Sequence, residues 1–465
     1  MKLKFTLLLF VFSTVLFAQT TKQQIYDEMM AYGKQEFLKK VAEIGNGKYE
    51  KRFYNAKNLE FSYTVKNGKL NGAFTQYFKN GNIYIQGFYK DNSLDGKFIK
   101  YYKNKQAESI FHFDEDKLLP GIEVFYENGK PKVTETFDET RKLRIGKEFY
   151  KNGKLRSLLE YVMSDDNLIS GTQERFYESG KIKSRKTLKN SKPVGKKEEF
   201  REDGKLEEIT NYNDKGEKHG VSQRYYENGK LQREENYVNG KQQGVEKAYF
   251  ENGTLREEVI YDTDGNYDGK HVRYYKNGKV RNITNYKNDE QHGEEKYYHE
   301  NGKVSMSGMY KNGESVGEHI TYREDGTVKN IIVYNDEGED IEYRDFDENG
   351  TLIKSMIEID ETHTVFKEFF SNGKLKLVEN HRYNKKNGEK ITYFDNGQLR
   401  QKLIYNKGKL VENVACFDRS GKKINNGDFA NGNGLVKFYN ADGKLYKEAI
   451  YKNGLIDDVT NYDVD

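Results

Sequence analysis

Short runs in which polar residues alternate with aromatic or aliphatic ones are punctuated by Asn-Gly pairs. The pattern returns with a period of about 24 residues, inside the range of repeat architectures. The stretch His219 to Tyr261, HGVSQRYYENGKLQREENYVNGKQQGVEKAYFENGTLREEVIY, holds a full period. Tyr225-Tyr226-Glu227-Asn228-Gly229-Lys230-Leu231 is answered one period later by Tyr249-Phe250-Glu251-Asn252-Gly253-Thr254-Leu255. A second turn signal, Tyr237-Val238-Asn239-Gly240-Lys241, lies between them and is closed by Gly244. Period-two alternation predicts strands, and Asn-Gly predicts type I′ hairpin turns, because both central residues there need positive φ. One period therefore predicts two turns and two short strands.

Taking Asn252-Gly253 as a two-residue loop fixes a register. Phe250 then faces Leu255, Ala248 faces Glu257, Glu246 faces Val259 and Gly244 faces Tyr261, all on one side of the sheet. Tyr249, Lys247 and Val245 face Arg256, Glu258 and Ile260 on the other. The rule that follows sets a glycine in one strand opposite an aromatic ring in the next, so that the ring lies over backbone without a Cβ. The pairs, all at the spacing of Gly244 and Tyr261, are Gly72/Tyr89, Gly96/Phe113, Gly195/Tyr212, Gly220/Tyr237, Gly244/Tyr261, Gly269/Tyr286, Gly293/Tyr310, Gly317/Tyr334, Gly388/Tyr405 and Gly434/Tyr451. Glycine weakens a strand interior, so its recurrence opposite a ring reads as a packing device rather than as a ligand site.

Three segments are expected. Residues 1–18 carry Lys2 and Lys4, an apolar run from Phe5 to Phe17 and a small residue at Ala18, the pattern of a secretory signal peptide. No cysteine follows the cut, which argues against a lipid anchor. Residues 19–45 form a helical cap: Ile25, Met29, Tyr32, Leu38, Val41 and Ile44 fall near helical spacing, and Thr21 with Gln24 suits a capping box. Repeat arrays need such caps, because their end units expose an open strand edge. Residues 46–465 are repeats. Fifteen first-turn glycines from Gly81 to Gly443, with Lys57 and Lys105 at the same position in degenerate copies, make about 17 units. At two strands each, a flat array would run about 160 Å.

Composition fits a thin body. Only 35% of residues are hydrophobic and 33% are charged, with 37 tyrosines and no tryptophan, too few aliphatic residues for one compact core of this length. Aromatics at 14% in register are not the composition of a disordered chain. The expected fold is all-β: an elongated single-layer antiparallel β-hairpin array, with a short helix after the signal peptide. Two stretches break the rhythm. Around 336–383 Ile341 and Glu358, then Thr364 and His381, replace the glycine and ring; at 412–429 Glu412 replaces the glycine. Bends in the sheet are the expected reading of both.

Charge and chemistry mostly exclude. The formal charge is +4, or +2 once Lys2 and Lys4 leave with the leader, and both signs are interleaved. No basic stripe marks a nucleic-acid footprint or an anionic-lipid patch. No later run approaches the roughly 20 apolar residues of a membrane helix. The single cysteine, Cys416, excludes an intrachain disulfide and reads as a small buried hydrophobe. None of the eight histidines falls in a metal-ligand motif, His292 and His299 included. Carboxylates occur in every unit, so none stands out as an acid/base pair. No catalytic, metal or cofactor residue is expected.

Tyr237-x-Asn239-Gly240-Lys241-x-x-Gly244 and Tyr310-x-Asn312-Gly313-x-x-x-Gly317, with His219-Gly220 and His292-Gly293 at the closing position, resemble MORN repeats, and more closely their bacterial variant form. The resemblance covers nearly everything after residue 46, although the aromatic that is often Trp in the family is Tyr or Phe here. It implies a hairpin array that scaffolds protein assemblies, with lipid contact claimed for some members. Some bacterial relatives carry an antitoxin label, which sits poorly with a signal peptide. The expected function is an exported, non-enzymatic scaffold, periplasmic or extracellular, with a protein partner. The alternatives are a binder of cell-wall glycan or a membrane surface using the tyrosine rows, or an antitoxin-like inhibitor.

Overall fold

The computed structural model describes residues 34–54, 57–166, 168–440 and 442–463. The expected leader at 1–18 and the part of the cap before Lys34 lie outside the described residues. The chain divides into two compact units, residues 1–241 and 242–465. In the first, a helix over Lys34–Ala42 precedes strands that pair antiparallel with their neighbours in sequence, from Gly47–Arg52 to Leu231–Val238. Val41, 1% exposed, seats the helix on Val65 and Leu70. The second unit repeats the scheme from Gly244–Tyr249 to Lys409–Cys416 and ends in a separate three-stranded sheet, Gly434–Tyr439, Leu445–Lys452 and Leu455–Asn461.

The two turns of a period are built differently. Asn239 and Gly240 take φ of 50° and 87°, and Asn312 and Gly313 take 52° and 86°, the two positive angles of a type I′ turn. Copies without Asn-Gly do the same, as at Asp91-Asn92 and Tyr383-Asn384. The turn at Asn252 corrects the expectation. Gly253 N donates to the Phe250 carbonyl and Phe250 N to the Thr254 carbonyl, both at 2.8 Å, so the loop has three residues, Glu251 to Gly253. In it only Gly253 has positive φ. Asn252 serves through its side chain: Oδ1 accepts from Thr254 N at 3.0 Å.

That shifts the near end of the ladder. Tyr249 pairs with Leu255, neither with Arg256 nor leaving Leu255 to Phe250, and the register slips between Ala248 and Tyr249. Beyond the slip, Ala248 faces Glu257, Glu246 faces Val259 and Gly244 faces Tyr261. The face carrying these residues is buried, with Glu246 at 6%, Ala248 at 1% and Val259 at 4% exposure. It is called the inner face below.

Each of the ten glycines lies opposite its ring in the ladder. The physical reason differs from the one expected. A Cβ at Gly96, Gly195, Gly244 or Gly317 would meet nothing within 4 Å, so the ring does not fill the space. What the ten share is φ between +64° and +120°. That conformation lets the strand arch away from its preceding neighbour: Phe88 pairs with Asp95 and Gln86 with Ile99, leaving Gly96, Lys97 and Phe98 opposite Gly87 alone. The same arch stands at Gly195 over Lys186 and at Gly317 over Gly308.

The irregular stretch 336–383 keeps the antiparallel ladder. Strands Asp340–Phe346, Leu352–Asp360, His363–Phe369 and Leu375–Arg382 pair in order. Ile341 and Thr364 lack positive φ, and the ladder runs unbroken from Lys354↔Glu368 to Glu358↔Thr364. At Thr364 the arch is lost with the glycine, whereas at Ile341 the register still slips, Val333 pairing with Glu342 and Tyr334 with Asp340. At 412–429 the rhythm does fail: after Lys409–Cys416 only isolated bridges, such as Phe417↔Lys423 and Gly427↔Val436, lead to the last sheet.

Candidate binding surface

The edge carrying the three-residue turns is sewn together by side chains. Tyr102, Tyr126, Tyr150 and Tyr177 donate their hydroxyls to the carbonyls of Phe125, Phe149, Phe176 and Phe200 at 2.8–2.9 Å. In the second unit Tyr275 reaches the Tyr298 carbonyl at 2.6 Å. Turn asparagines add a second stitch, Asn104 to the Glu127 carbonyl and Asn372 to the Asp395 carbonyl. A phenol both packs and donates, which suits tyrosine to this task. The type I′ edge has its own caps. Lys407 N donates to Asn387 Oδ1 at 3.1 Å, and His219 and His292 hold the same place before their glycines, their Nδ1 atoms 3.4 and 3.5 Å from Asn239 N and Asn312 N. A polar residue directly before the arch glycine, one hairpin ahead of the turn it caps, was a signal available in the sequence.

The rings paired with glycines lie on the inner face and are engaged there. In the first unit Tyr89 packs edge-on against Phe74 and Phe98, and Lys218 Nζ stands 4.5 Å over the Tyr237 ring. Tyr212 is half-buried, and burial raises its phenol. In the second unit Tyr261 donates to Glu246 at 3.1 Å, Tyr286 packs against Tyr267 and His271, and Tyr310 and Tyr334 flank His319 at 5.1 and 4.8 Å. Tyr405 lies under Lys386, and Tyr451 meets Phe429 edge-on. Rings do rest on glycine, at positions the glycine-to-ring rule passed over. A Cβ on Gly87 would strike Phe98 at 2.5 Å, and one on Gly308 would strike His319 at 2.5 Å. Each of these glycines shares a strand with an inner ring, Tyr89 or Tyr310, and the ring it carries comes in the next strand.

Both units bury apolar and polar side chains. In the first unit Ile85, Leu94, Phe98, Phe111 and Phe113 make an apolar row, followed by Leu159, Tyr161, Ile169 and Leu188. The second unit, besides apolar residues such as Val259 and Leu403, buries Glu246, His271, Asn282, Thr284, Glu295, Ser355 and Glu379, as the first buries Glu135 and Gln173. Two carboxylates there, Glu257 and Glu379, meet basic side chains. His271 Nε2 is 2.6 Å from Glu257, and Arg273 is 3.0 Å from the same carboxylate. These partners outweigh burial and hold Glu257 at about 2. Burial also works against Glu379, yet Lys390 at 2.7 Å, His381 at 2.6 Å and Lys386 at 3.0 Å bring it to about 2.

What faces outward is the other side. Phe88 is 55% exposed, Met309 45% and Ile450 43%, each directly before an inner ring in the chain and so on the outer face. Lys247 pairs there with Glu258 across the ladder at 3.8 Å. Asn285, directly before the inner ring Tyr286 as Met309 is before Tyr310, donates to the Glu294 carbonyl freed by the arch. Cys416 is 1% exposed, and burial pushes its thiol up to about 11. Among the described residues no group of three or more His, Cys, Asp or Glu is placed to hold a metal ion, and no helix is long and apolar enough to cross a membrane.

Likeness to solved structures is slight. The chain matches the TcdB2-TccC3-Cdc42 structure at 11% identity and a TM-score of 0.13, covering 88% of itself and 26% of that chain. It matches the Photorhabdus luminescens Tc holotoxin pore at 12% and 0.14, covering 86% of itself and 26% of that chain. It thus spans about a quarter of those chains. No curated protein matches. The family model described as MORN repeat variant matches ten stretches: 70–91, 145–163, 169–190, 193–214, 218–239, 242–263, 267–288, 291–312, 386–407 and 432–453. With ten copies matched from residue 70 to residue 453, the chain belongs to the MORN repeat variant family.

Proposed function

We propose that the chain is an exported, non-enzymatic scaffold that binds protein partners along the outer faces of its repeats. The observation that carries this reading is the division of labour between the two faces. Inner rings, turn asparagines and edge tyrosine hydroxyls are engaged by neighbouring copies, while the outer face repeats exposed apolar residues such as Phe88 and Met309 among Lys/Glu pairs. Exposed aromatic and Met side chains ringed by charge are the composition of protein-binding patches. The signal-peptide pattern at 1–18 supports export, to the periplasm or beyond the cell.

The test is cross-linking of the tagged chain in its native envelope, followed by mass spectrometry. A reproducible protein partner, lost on Phe88→Asp or Met309→Asp with the melting temperature unchanged, is the expected result. Recovery of the tagged chain from the cytoplasm, or no partner at all, counts against the reading.

A further inference from the structure

In the second unit the C-terminal sheet packs Val436, Ala449 and Tyr451 on Leu403 and Leu410. Beside that contact a cleft of about 300 Å³ opens between the two layers. Leu377, Thr392 and Gln401 form part of its floor, and Phe438, Tyr439 and Tyr446 its wall. Gln401 Nε2 donates to the Lys437 carbonyl at 3.3 Å and ties floor to wall.

The charge around the cleft is one-sided. Lys376, Lys390, Arg400 and Lys447 line it, against the single carboxylate of Glu368. Two of the cations are matched, Lys376 with Glu368 at 3.1 Å and Lys390 with Glu379 at 2.7 Å. Arg400 is half-buried, its Nε donating to the Thr392 hydroxyl at 3.3 Å, and Lys447 stands 5.6 Å over the Phe438 ring. Among the described residues neither has a carboxylate within 4.0 Å. Burial also holds the Lys390 ammonium below the usual lysine range despite its partner. Half-buried cations without a counter-charge are costly, and a bound anion removes that cost.

The cleft on the first unit differs. About 390 Å³ in volume, it sets Glu160, Glu174 and Glu198 against Arg185, Lys186 and Lys196, and Glu198 already takes Arg185 and Lys196. Its charges are equal in number, although Lys186 has no carboxylate within 4.0 Å among the described residues and burial holds its ammonium at about 8.

We propose that the cleft at Arg400 and Lys447 binds a small ligand joining an anionic group to a ring with an apolar face, an acidic or phosphorylated sugar. The anion lies between Arg400 and Lys447, and the C–H face of the sugar lies on Phe438 and Tyr446. The volume sits at the low end of small-molecule pockets, about 300–1,000 Å³, which fits one sugar ring. This goes beyond the scaffold reading and stands without it.

Calorimetric titration of the full chain with glucuronate, a hexose monophosphate, inorganic phosphate and glucose tests it. Saturable binding of an acidic sugar, weakening as salt is raised, and none of glucose is expected. Arg400→Gln and Lys447→Gln, checked for folding by thermal melts, should each weaken it about tenfold or more. Phe438→Leu should weaken the hexose phosphate and spare inorganic phosphate, and Lys196→Gln in the other cleft should change nothing. No saturable binding of either acidic sugar, or binding untouched by both cation variants in folded protein, overturns the proposal. Equal affinity for inorganic phosphate and the hexose phosphate overturns the assignment to a sugar.

Discussion

Gly244 and Gly308 separate two reasons for a recurring glycine in a strand, and alanine at each should fail for a different cause. Gly244 has φ of +73° and open space where a Cβ would go. Alanine there meets no atom but must hold a left-handed backbone, at a cost of about 1–2 kcal/mol. For a unit of this size that is a fall in melting temperature of about 2–8 °C. Gly308 lacks positive φ, but its Cβ would stand 2.5 Å from the His319 ring, which Tyr310 and Tyr334 hold on both sides. Alanine there must displace a ring that cannot swing away, so a loss of about 1–3 kcal/mol is expected from overpacking. The rescues discriminate. Gly244→Asn should recover much of the loss, since asparagine tolerates positive φ, and Tyr261→Ala should add to Gly244→Ala without coupling. Gly308→Asn should be no better than alanine, whereas His319→Ala should relieve Gly308→Ala, with a coupling of about 0.5–3 kcal/mol. Thermal melts of the singles and doubles give all the terms. Coupling between Gly244→Ala and Tyr261→Ala, with no gain from asparagine, would refute the backbone explanation and restore the one based on ring contact.

Other consequences are as direct. Tyr126→Phe removes the hydroxyl bond to the Phe149 carbonyl and should cost about 0.5–1.5 kcal/mol in a melt, while leaving partner capture intact; a variant that keeps its stability would show that the stitch is idle. Glu257 and Glu379 both sit at about 2 in the folded chain, below their ordinary 4.5, so the stability they give is present above about pH 4.5 and lost as pH falls toward 2. Glu257→Gln and Glu379→Gln should therefore lower the melting temperature at neutral pH and flatten its acid-side decline; parallel acid profiles for variant and parent would count against the pairing. The Cys416 thiol, buried and pushed up to about 11, should react with a thiol reagent only on unfolding, and rapid labelling of the native chain would contradict its burial.

Much of this molecule is local, and local structure is what a sequence states directly. Alternation with period two fixed which side chains share a face, and Asn-Gly at 239–240 fixed a turn, because both depend on backbone chemistry within a short stretch of chain. The pairing of Gly244 with Tyr261 followed from the same alternation, even though the turn beneath it has three residues and a compensating slip. Why the glycine is there did not follow. A position can demand glycine for its φ or for its missing Cβ, and the two needs look identical in a sequence; only the coordinates of the neighbouring strand separate Gly244 from Gly308. The same limit hid the cleft. Arg400 and Lys447 are far apart in the chain and belong to different sheets, so their shared want of a counter-charge exists only once the last sheet packs on Leu403 and Leu410. Repetition writes strand, turn and register into each copy, but the contact of one sheet on another is made once and has no repeat to announce it.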